Sequence, residues 1–181
     1  GGGAREAELS AELLELAQAL NAPVMTTAQG KGAIPEDNPN SIGSFYYGHG
    51  PGHLALPQAD VVLVVGSRFH LGAPVDWAVK PHQKVIQIDA DPDEVGRNVE
   101  PTVGMAADGK LALQDLLEEL GGRTKARQWT PGDMAAIKNQ SYQEIKSNAP
   151  LQVEIIETTR EELDDDAIVV DAEFEEVEDD D

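Results

Sequence analysis

Two aspartates, Asp89 and Asp91, follow an apolar run in the stretch KVIQIDADPDEVGRN, residues 84–98. Carboxylates one residue apart can hold a metal ion, exchange protons with a substrate, or accept hydrogen bonds from the hydroxyl groups of a ribose. They can also do no more than shape a turn or cap a helix. The elements around this acidic corner decide between these uses.

Three glycine-containing segments stand at comparable positions, next to predicted strands or helices: GGG at residues 1–3, TTAQGKG at 26–32 and GSRF at 66–69. Glycine lets backbone N–H groups come close to a pyrophosphate, and the start of a helix adds favourable partial charge. Such segments meet in one crevice at the carboxyl ends of the strands of an open parallel sheet. Each segment alone is a weak signal, because GGGAREA does not follow the G-x-G-x-x-G pattern.

The predicted elements alternate between strand and helix. DVVLVVG and KVIQID are continuous apolar runs, which are typical of strands buried on both faces of a parallel sheet, and PVMTT and TVGMAAD predict two weaker strands. Helical spacing of leucines predicts helices over residues 4–20 and 109–120, with Asp108 as N-cap of the second. Residues 30–53 are rich in glycine and proline and are predicted to be mostly loop, and a brief helix that ends at Pro57 is predicted in HLALPQ, residues 53–58. This order predicts an α/β fold, a Rossmann-like parallel sheet flanked by helices.

The chain divides by composition into three parts: a Rossmann-like domain over residues 1–122, a linker and helix over 123–150, and a third part over 151–181. Thr130 and Pro131 predict the start of the second part's helix. The third part is predicted to hold a further helix, a strand over 167–170 and an acidic tail. If this strand folds back into the slot of the missing first strand, it completes the main sheet and caps its exposed edges. The tail itself has the character of a solvated terminus or of replaced sequence.

The charge and composition exclude several classes of function. The chain has 34 acidic and 13 basic residues, a formal net charge of −21, so we expect no binding to nucleic acid or to anionic membranes. It has no cysteine, which excludes disulfides and thiolate chemistry and fits a cytoplasmic protein. No apolar run reaches the roughly 18 residues that a membrane span requires.

Several residues have a functional residue type in a sequence context that does not support the function. The acidic corner lacks the spacing of a calcium-binding EF-hand loop, because Pro92 interrupts it and no distal glutamate follows. Ser67 follows a strand and a glycine, but a nucleophile elbow needs a second glycine where Phe69 stands. The four histidines are scattered through loops and are expected to be ordinary surface residues.

Together these segments resemble the central domain of the thiamine-diphosphate-dependent enzymes of the acetolactate synthase, benzaldehyde lyase and oxalyl-CoA decarboxylase group. The resemblance covers residues 1–120 in family order, through GGGAREAELSAELLELAQALNAPVMTTAQGKGAIPEDNPNSIG, ADVVLVVGSRF, KVIQIDADPDEVGRN and ADGKLALQDLLEEL. Residues 148–173 resemble the entry into the diphosphate-binding domain of these enzymes. The resemblance implies a six-stranded Rossmann-like domain that binds FAD or ADP in some members and is only structural in others.

The resemblance also implies where a nucleotide would lie. Its contacts would be Gly1, Gly2, Gly3, Gly66, Ser67, Arg68, Phe69, Asp89 and Asp91, with Asp108 near the adenine or ribose. The stretch YYGHG, residues 46–50, is similar to the family loop that passes close to a flavin. Flavin-binding members continue after GSRF with paired aspartates, whereas this chain reads HLGAPVDW, so ADP or no ligand is supported as well as FAD.

In full-length members of the family, other domains hold thiamine diphosphate and magnesium, through a glutamate and a GDG motif. The sequence contains no GDG, and its only DG pair is Asp108-Gly109. We therefore expect the chain by itself to be non-catalytic. It would be a nucleotide-binding domain, or a purely structural or designed assembly module without ligand. A third possibility is a working enzyme whose remaining parts lie outside this sequence. An oligomer is possible and a monomer is plausible.

Overall fold

The structure is a computed structural model, and it describes residues 1–44, 50–69, 79–123 and 129–162. The chain separates into two compact units, Gly1–Ile145 and Lys146–Asp181. The predicted strand over 167–170 and the acidic tail lie outside the described residues, as do Tyr46 to His49 of the predicted flavin loop.

The first unit is built on parallel strands, which confirms the predicted α/β class. Strands β1 (Val24–Thr26) and β2 (Ser41–Ser44) form one parallel pair. Strands β3 (Val61–Val65), β4 (Lys84–Asp89) and β5 (Val103–Ala106) form a second parallel sheet in the order β3-β4-β5. The two runs predicted as the main buried strands are therefore adjacent and point the same way.

Helices make up much of the rest of the described residues. Their bounds are α1 (Gly2–Glu6), α2 (Ser10–Leu20), α3 (Pro51–Ala55), α4 (Gly109–Leu120), α5 (Pro131–Asn148) and α6 (Pro150–Glu162). A 3-10 helix over Leu56–Gln58 follows α3, so the helical backbone passes through Pro57 rather than ending there as predicted. No helix in the described part of the chain is long and apolar enough to cross a membrane.

The six strands expected from the resemblance are not all seen, because the described residues hold five strands in two separate sheets. No ladder of hydrogen bonds joins β1 to β3 in the described part of the chain. The segment that opens the chain lies at this division, since the Gly1 amine donates to the Val65 carbonyl oxygen at the end of β3.

The single helix predicted over residues 4–20 is wrong in one respect, because the structure breaks it into α1 and α2. Glu8 takes a left-handed conformation with φ of +50°, which separates α1 from α2. The break leaves Leu9, only 1% exposed, in the core with Ile88 and Leu113. Burial of that leucine against the sheet offsets the lost helical hydrogen bonds.

Strand β2 was missed in the region predicted to be loop. Its residues are two serines, an isoleucine and a glycine, which carry little of the β-branched and aromatic pattern of a strand. Pairing with β1 overrides this weak propensity, and Thr26 Oγ1 and Ser44 Oγ share a hydrogen bond of 3.0 Å across the pair. Asn40, just before β2, donates its amide to the Ala22 carbonyl oxygen at 2.9 Å.

The main core lies between the three-stranded sheet and the helices α2 and α4. Ile88 of β4 and Leu113 of α4 are fully buried there, together with Leu16 and Val65. A smaller cluster joins β2 and α3 to α5 through Ile42, Ala55, Met134 and Ile137. The first core fixes the direction of β3 and β4, whose carboxyl ends carry the residues of interest.

Two predicted helix starts are confirmed. The Asp108 carboxylate accepts a hydrogen bond of 3.0 Å from the Leu111 N–H at the start of α4. At α5 the Thr130 N–H donates to Asp133 Oδ2 at 2.8 Å while the Asp133 N–H donates back to Thr130 Oγ1 at 3.2 Å. Hydrogen bonds from the Thr130 hydroxyl, at 2.7 Å, and from the Thr130 N–H lower the pKa of the Asp133 carboxyl, because they stabilise its charged form.

The second unit contains the end of α5 and all of α6. Lys146 Nζ lies 3.0 Å from Glu157 Oε2, so an ion pair ties the two helices together within this unit. Leu151, Ile155 and Ile156 of α6 are exposed. The predicted helix beginning at Pro150 is confirmed.

Candidate functional site

The first three glycines pack directly against the end of β3. The Gly1 amine donates to the Val65 carbonyl oxygen at 2.8 Å, and the Gly3 N–H donates to the Gly66 carbonyl oxygen at 3.1 Å. On its other side Gly1 meets the turn after β1, where a Cβ added to Gly30 would lie 2.7 Å from the Gly1 carbonyl oxygen. The opening segment therefore lies between the loops that follow β1 and β3.

Gly66 has to be glycine for this contact to form. Its φ is +55°, in the left-handed region, and a Cβ there would lie 2.7 Å from the Gly3 carbonyl carbon. A Cβ on Gly1 would in turn collide with the Gly66 carbonyl oxygen. Glycine is needed on both sides because the two backbones touch with no room for side chains.

Asp89 ends β4 beside this glycine contact. The Gly66 N–H donates to the carbonyl oxygen of Ile88, the residue before Asp89, at 2.9 Å. Burial lowers the pKa of the Gly1 amine to about 6, while the nearby charge of Asp89 acts in the opposite direction. The half-buried Asp89 carboxylate and the Gly1 amine thus share one electrostatic environment.

The acidic corner forms two consecutive turns of the kind that aspartate favours. Asp89 Oδ1 accepts from the Asp91 N–H at 3.1 Å, and Asp91 Oδ1 accepts from the Asp93 N–H at 2.9 Å. An ionised carboxylate has about four acceptor sites, so each retains capacity for a ligand hydroxyl. Among the described residues no group of three acidic, histidine or cysteine side chains is placed to hold a metal ion.

Arg68 supplies positive charge in the loop after β3. Its side chain is 74% exposed, and its Nε lies 3.6 Å from Glu94 Oε1. Arg97 binds the same Glu94 oxygen at 2.7 Å, so the glutamate is held from both sides. The Arg68 carbonyl oxygen also accepts from Asn98 Nδ2 at 2.7 Å, which fixes the backbone of this loop.

Ser67 and Phe69 complete the loop after β3. The Phe69 N–H donates to Ser67 Oγ at 3.2 Å, and the Phe69 φ of +46° is unusual for a residue with a side chain. The serine hydroxyl therefore serves the loop itself, which agrees with its rejection as a nucleophile.

Gln87 is the residue that sequence reasoning missed. Its side chain is 1% exposed and donates to the Ser67 carbonyl oxygen at 3.1 Å and the Glu94 carbonyl oxygen at 3.0 Å. Its Oε1 accepts from the Gly96 N–H at 2.8 Å. One amide thus joins the loop after β3 to the loop after β4. The signal was a glutamine in an otherwise apolar strand, since a buried polar group must find partners.

The predicted site residues do not all converge. Gly1, Gly3, Gly66 and Asp89 lie together, and the loop of Ser67, Arg68 and Phe69 adjoins them. Gly2 faces Gln29 instead, where an added Cβ would lie 3.2 Å from the Gln29 Cβ. Asp91 is exposed and accepts one hydrogen bond in its own turn, and Asp108 accepts one as the cap of α4, so no contact places either of them beside the glycines.

The fold and the position of the site define an open α/β domain with a crevice at the carboxyl ends of its strands. Residues 1–116 match the family described as "Thiamine pyrophosphate enzyme, central domain". The chain belongs to this family, and the resemblance stated from the sequence is confirmed.

Relatives agree with this assignment. The chain is 38% identical over 122 residues to a "Probable acetolactate synthase large subunit" of Methanocaldococcus jannaschii, which covers 66% of this chain and 21% of that protein. It is 34% identical over 155 residues to a pyruvate oxidase of Lactiplantibacillus plantarum, covering 83% of this chain and 25% of that protein. The chain therefore spans about a quarter or less of the length of these two relatives.

A solved structure shows the same fold. It is the X-ray structure of an enzyme from Mycobacterium smegmatis that is described as thiamin diphosphate-dependent. The TM-score is 0.56 at 24% sequence identity, and the match covers 71% of this chain and 24% of that chain.

Replacing Gln87 by leucine should lower the free energy of unfolding by about 2–4 kcal/mol, because three backbone groups lose their buried partner. Urea denaturation measures this loss, and hydrogen exchange at the Gly96 amide should become faster. Gln114→Leu is the matched control, since this glutamine makes only an exposed hydrogen bond on α4. A Gln87→Leu protein as stable as the control would show that the amide does not join the loops.

The stability of the chain with a free Gly1 amine should rise between pH 6 and pH 8. The folded state has the lower amine pKa, so the unfolded chain binds more protons in this window and deprotonation favours folding. We expect a gain of about 2 kcal/mol, measured by urea denaturation at several pH values. The same chain acetylated at Gly1 carries no titrating amine there, and an equally steep pH dependence would contradict the prediction.

Proposed function

We propose that this domain binds the diphosphate and ribose of an adenine nucleotide such as ADP, as part of a longer thiamine-diphosphate-dependent enzyme. The observation that carries the proposal is the bare glycine contact between Gly1, Gly3 and Gly66, placed beside a carboxylate at a strand end. Surfaces without side chains let phosphate oxygens approach the backbone closely.

The side chains around this contact suit the parts of a nucleotide. The Arg68 guanidinium is exposed in the loop after β3 and can form charge-assisted hydrogen bonds with phosphate oxygens. The Asp89 carboxylate has one oxygen committed to the Asp91 N–H, and its other oxygen can accept from a ribose hydroxyl. The ribose would then lie over the end of β4 and the diphosphate over the glycines.

ADP is favoured over FAD as the ligand. The site provides for phosphate and ribose through the glycine contact, the Arg68 guanidinium and the Asp89 carboxylate. The residues after Phe69 also lack the paired aspartates that flavin-binding members carry.

A specific observation supports a second candidate, a structural module without ligand. The Asp89 and Asp91 carboxylates each already accept a hydrogen bond within their own turns. In this role the glycine contact would only join the two sheets. This second candidate also includes a module that serves assembly of the longer enzyme without binding a ligand and that is a monomer by itself.

Catalysis is assigned to other parts of the longer enzyme. The described residues offer no cluster of metal ligands for the magnesium that accompanies thiamine diphosphate in the family. This chain would contribute a nucleotide site and a rigid scaffold rather than a reacting group. The absence of cysteine favours a reducing, cytoplasmic setting for this role.

Isothermal titration with ADP should show saturable binding, and Asp89→Asn should weaken it about tenfold by removing a charged hydrogen-bond acceptor. Asp60→Asn is the matched control, because Asp60 is exposed at the opposite end of the sheet, before β3. We expect that control to bind ADP as the unchanged protein does.

Two outcomes would contradict nucleotide binding at this crevice. Absence of heat with ADP, together with no yellow colour after incubation with FAD, would leave the structural module as the function. Equal affinity of Asp89→Asn and Asp60→Asn for ADP would show that the Asp89 carboxylate does not contact the ligand.

A further inference from the structure

A second concave surface lies between strand β5, at the edge of the three-stranded sheet, and helix α4. Its cavity of about 510 Å³ has an apolar floor and an acidic rim, and we name it the β5–α4 groove. We call its apolar lining residues the floor: Met105, Ala106, Ala107, Leu111, Ala112 and Leu116. We call its acidic lining residues the rim: Asp108, Asp115 and Glu119.

The β5–α4 groove is separate from the nucleotide crevice. The side of α4 that faces α2 carries Gln114 and Lys110, which bind Glu12 Oε1 at 2.9 Å and 3.8 Å. Leu111 and Asp115 lie one helical turn apart on a different face of α4, and both line the groove. A ligand in the groove would therefore contact neither α2 nor the glycines at the end of β3.

Strand β5 leaves backbone groups available along this groove. The sheet order β3-β4-β5 puts β5 at an edge, with β4 as its only strand partner among the described residues. Three of its four residues are exposed. An edge of this kind is a template for an added strand, through its unpaired N–H and carbonyl groups.

Apolar side chains next to this edge are unusually exposed. Leu111 is 61% exposed and Val103 is 47% exposed, although each adjoins well-buried residues of the same sheet or helix. An apolar floor beside an open strand edge favours a partner that offers both a backbone and apolar side chains.

The charge of the rim selects among such partners. Helix α4 carries three carboxylates and one lysine, and that lysine is directed to Glu12 of α2. The Asp115 carboxylate and the Glu119 carboxylate stand four residues apart beside the groove, and Arg123 lies 3.7 Å from Glu119 with both side chains highly exposed. A partner with lysine or arginine next to its apolar residues would complement this rim.

We propose that the β5–α4 groove binds an extended, basic segment of a second protein, which adds a strand to β5. Alternate apolar side chains of that segment pack against Leu111 and Met105, and a lysine or arginine pairs with Asp115. The backbone hydrogen bonds supply affinity, and the acidic rim supplies selectivity for a cationic segment.

A second copy of this chain fits the groove less well. Each copy carries the same acidic rim and a formal net charge of −21, so two copies would bring like charges together. This repulsion favours a basic partner over self-association through β5.

The test uses the full chain and a fluorescein-labelled peptide of sequence KVTVKVTVK, followed by fluorescence anisotropy at low salt. We expect saturable binding, no binding of the matched peptide EVTVEVTVE, and amide shift changes in NMR spectra at Met105 and Ala106. Asp115→Lys should weaken binding about fivefold more than Glu118→Lys, which alters the same charge on α4 outside the groove. Leu111→Ser should weaken binding, whereas Leu151→Ser, an equally exposed leucine of α6, should not.

Three results would overturn the proposal. The first is the absence of saturable binding of the basic peptide. The second is equal loss of affinity in Asp115→Lys and Glu118→Lys, which would reduce the attraction to overall charge. The third is a dimer in light scattering that Leu111→Ser dissociates, which would make the groove an interface between copies. Circular dichroism of each variant confirms that the surface substitutions leave the fold unchanged.

Discussion

Direct backbone contact between the opening glycines and Gly66 is the constraint on which the candidate site depends. The Gly3 N–H meets the Gly66 carbonyl oxygen at 3.1 Å, Gly66 has no room for a Cβ, and a Cβ on Gly3 would lie only 3.2 Å from the Gly66 Cα. This contact draws the loop after β3, the turn after β1 and the end of β4 to one place. Without it the two parallel sheets would have no common boundary at their carboxyl ends.

Gln87 joins the two loops next to this contact through hydrogen bonds of its side-chain amide. It lies in β4 with 1% exposure and bonds to backbone groups of both adjoining loops. A buried amide with three partners is stable, whereas three orphaned backbone groups would be costly. The glycine contact sets how close the loops come, and Gln87 sets how they are oriented to one another.

The sequence predicted the strands β3 and β4 and the start of α4 well, because each depends on local signals such as apolar runs and the Asp108 cap. It failed where tertiary contacts decide. Strand β2 exists through its pairing with β1, and the break at Glu8 exists because Leu9 is buried in the core. The propensities of the residues themselves predict neither the strand β2 nor the break at Glu8.

The same limit applies to the candidate site. Glycine and aspartate at strand ends indicated Gly66 and Asp89 correctly as neighbours of the opening segment, because parallel strands bring their carboxyl ends together. The role of Gln87 depends on two loops far apart in sequence, so only the fold shows it. The assignment of Asp108 to a nucleotide stays a prediction from the resemblance, and the fold adds that one oxygen of its carboxylate caps α4.

Nuclear Overhauser contacts between the Hα protons of Gly3 and Gly66, in an isotope-labelled sample with a free Gly1 amine, test the account most directly. The account predicts strong cross-peaks between these glycines and a Gly3 amide that exchanges slowly with solvent. Sharp, rapidly exchanging signals from Gly1 to Gly3 with no cross-peak to Gly66 would contradict it. The crevice would then lack the boundary on which the proposed nucleotide site is built.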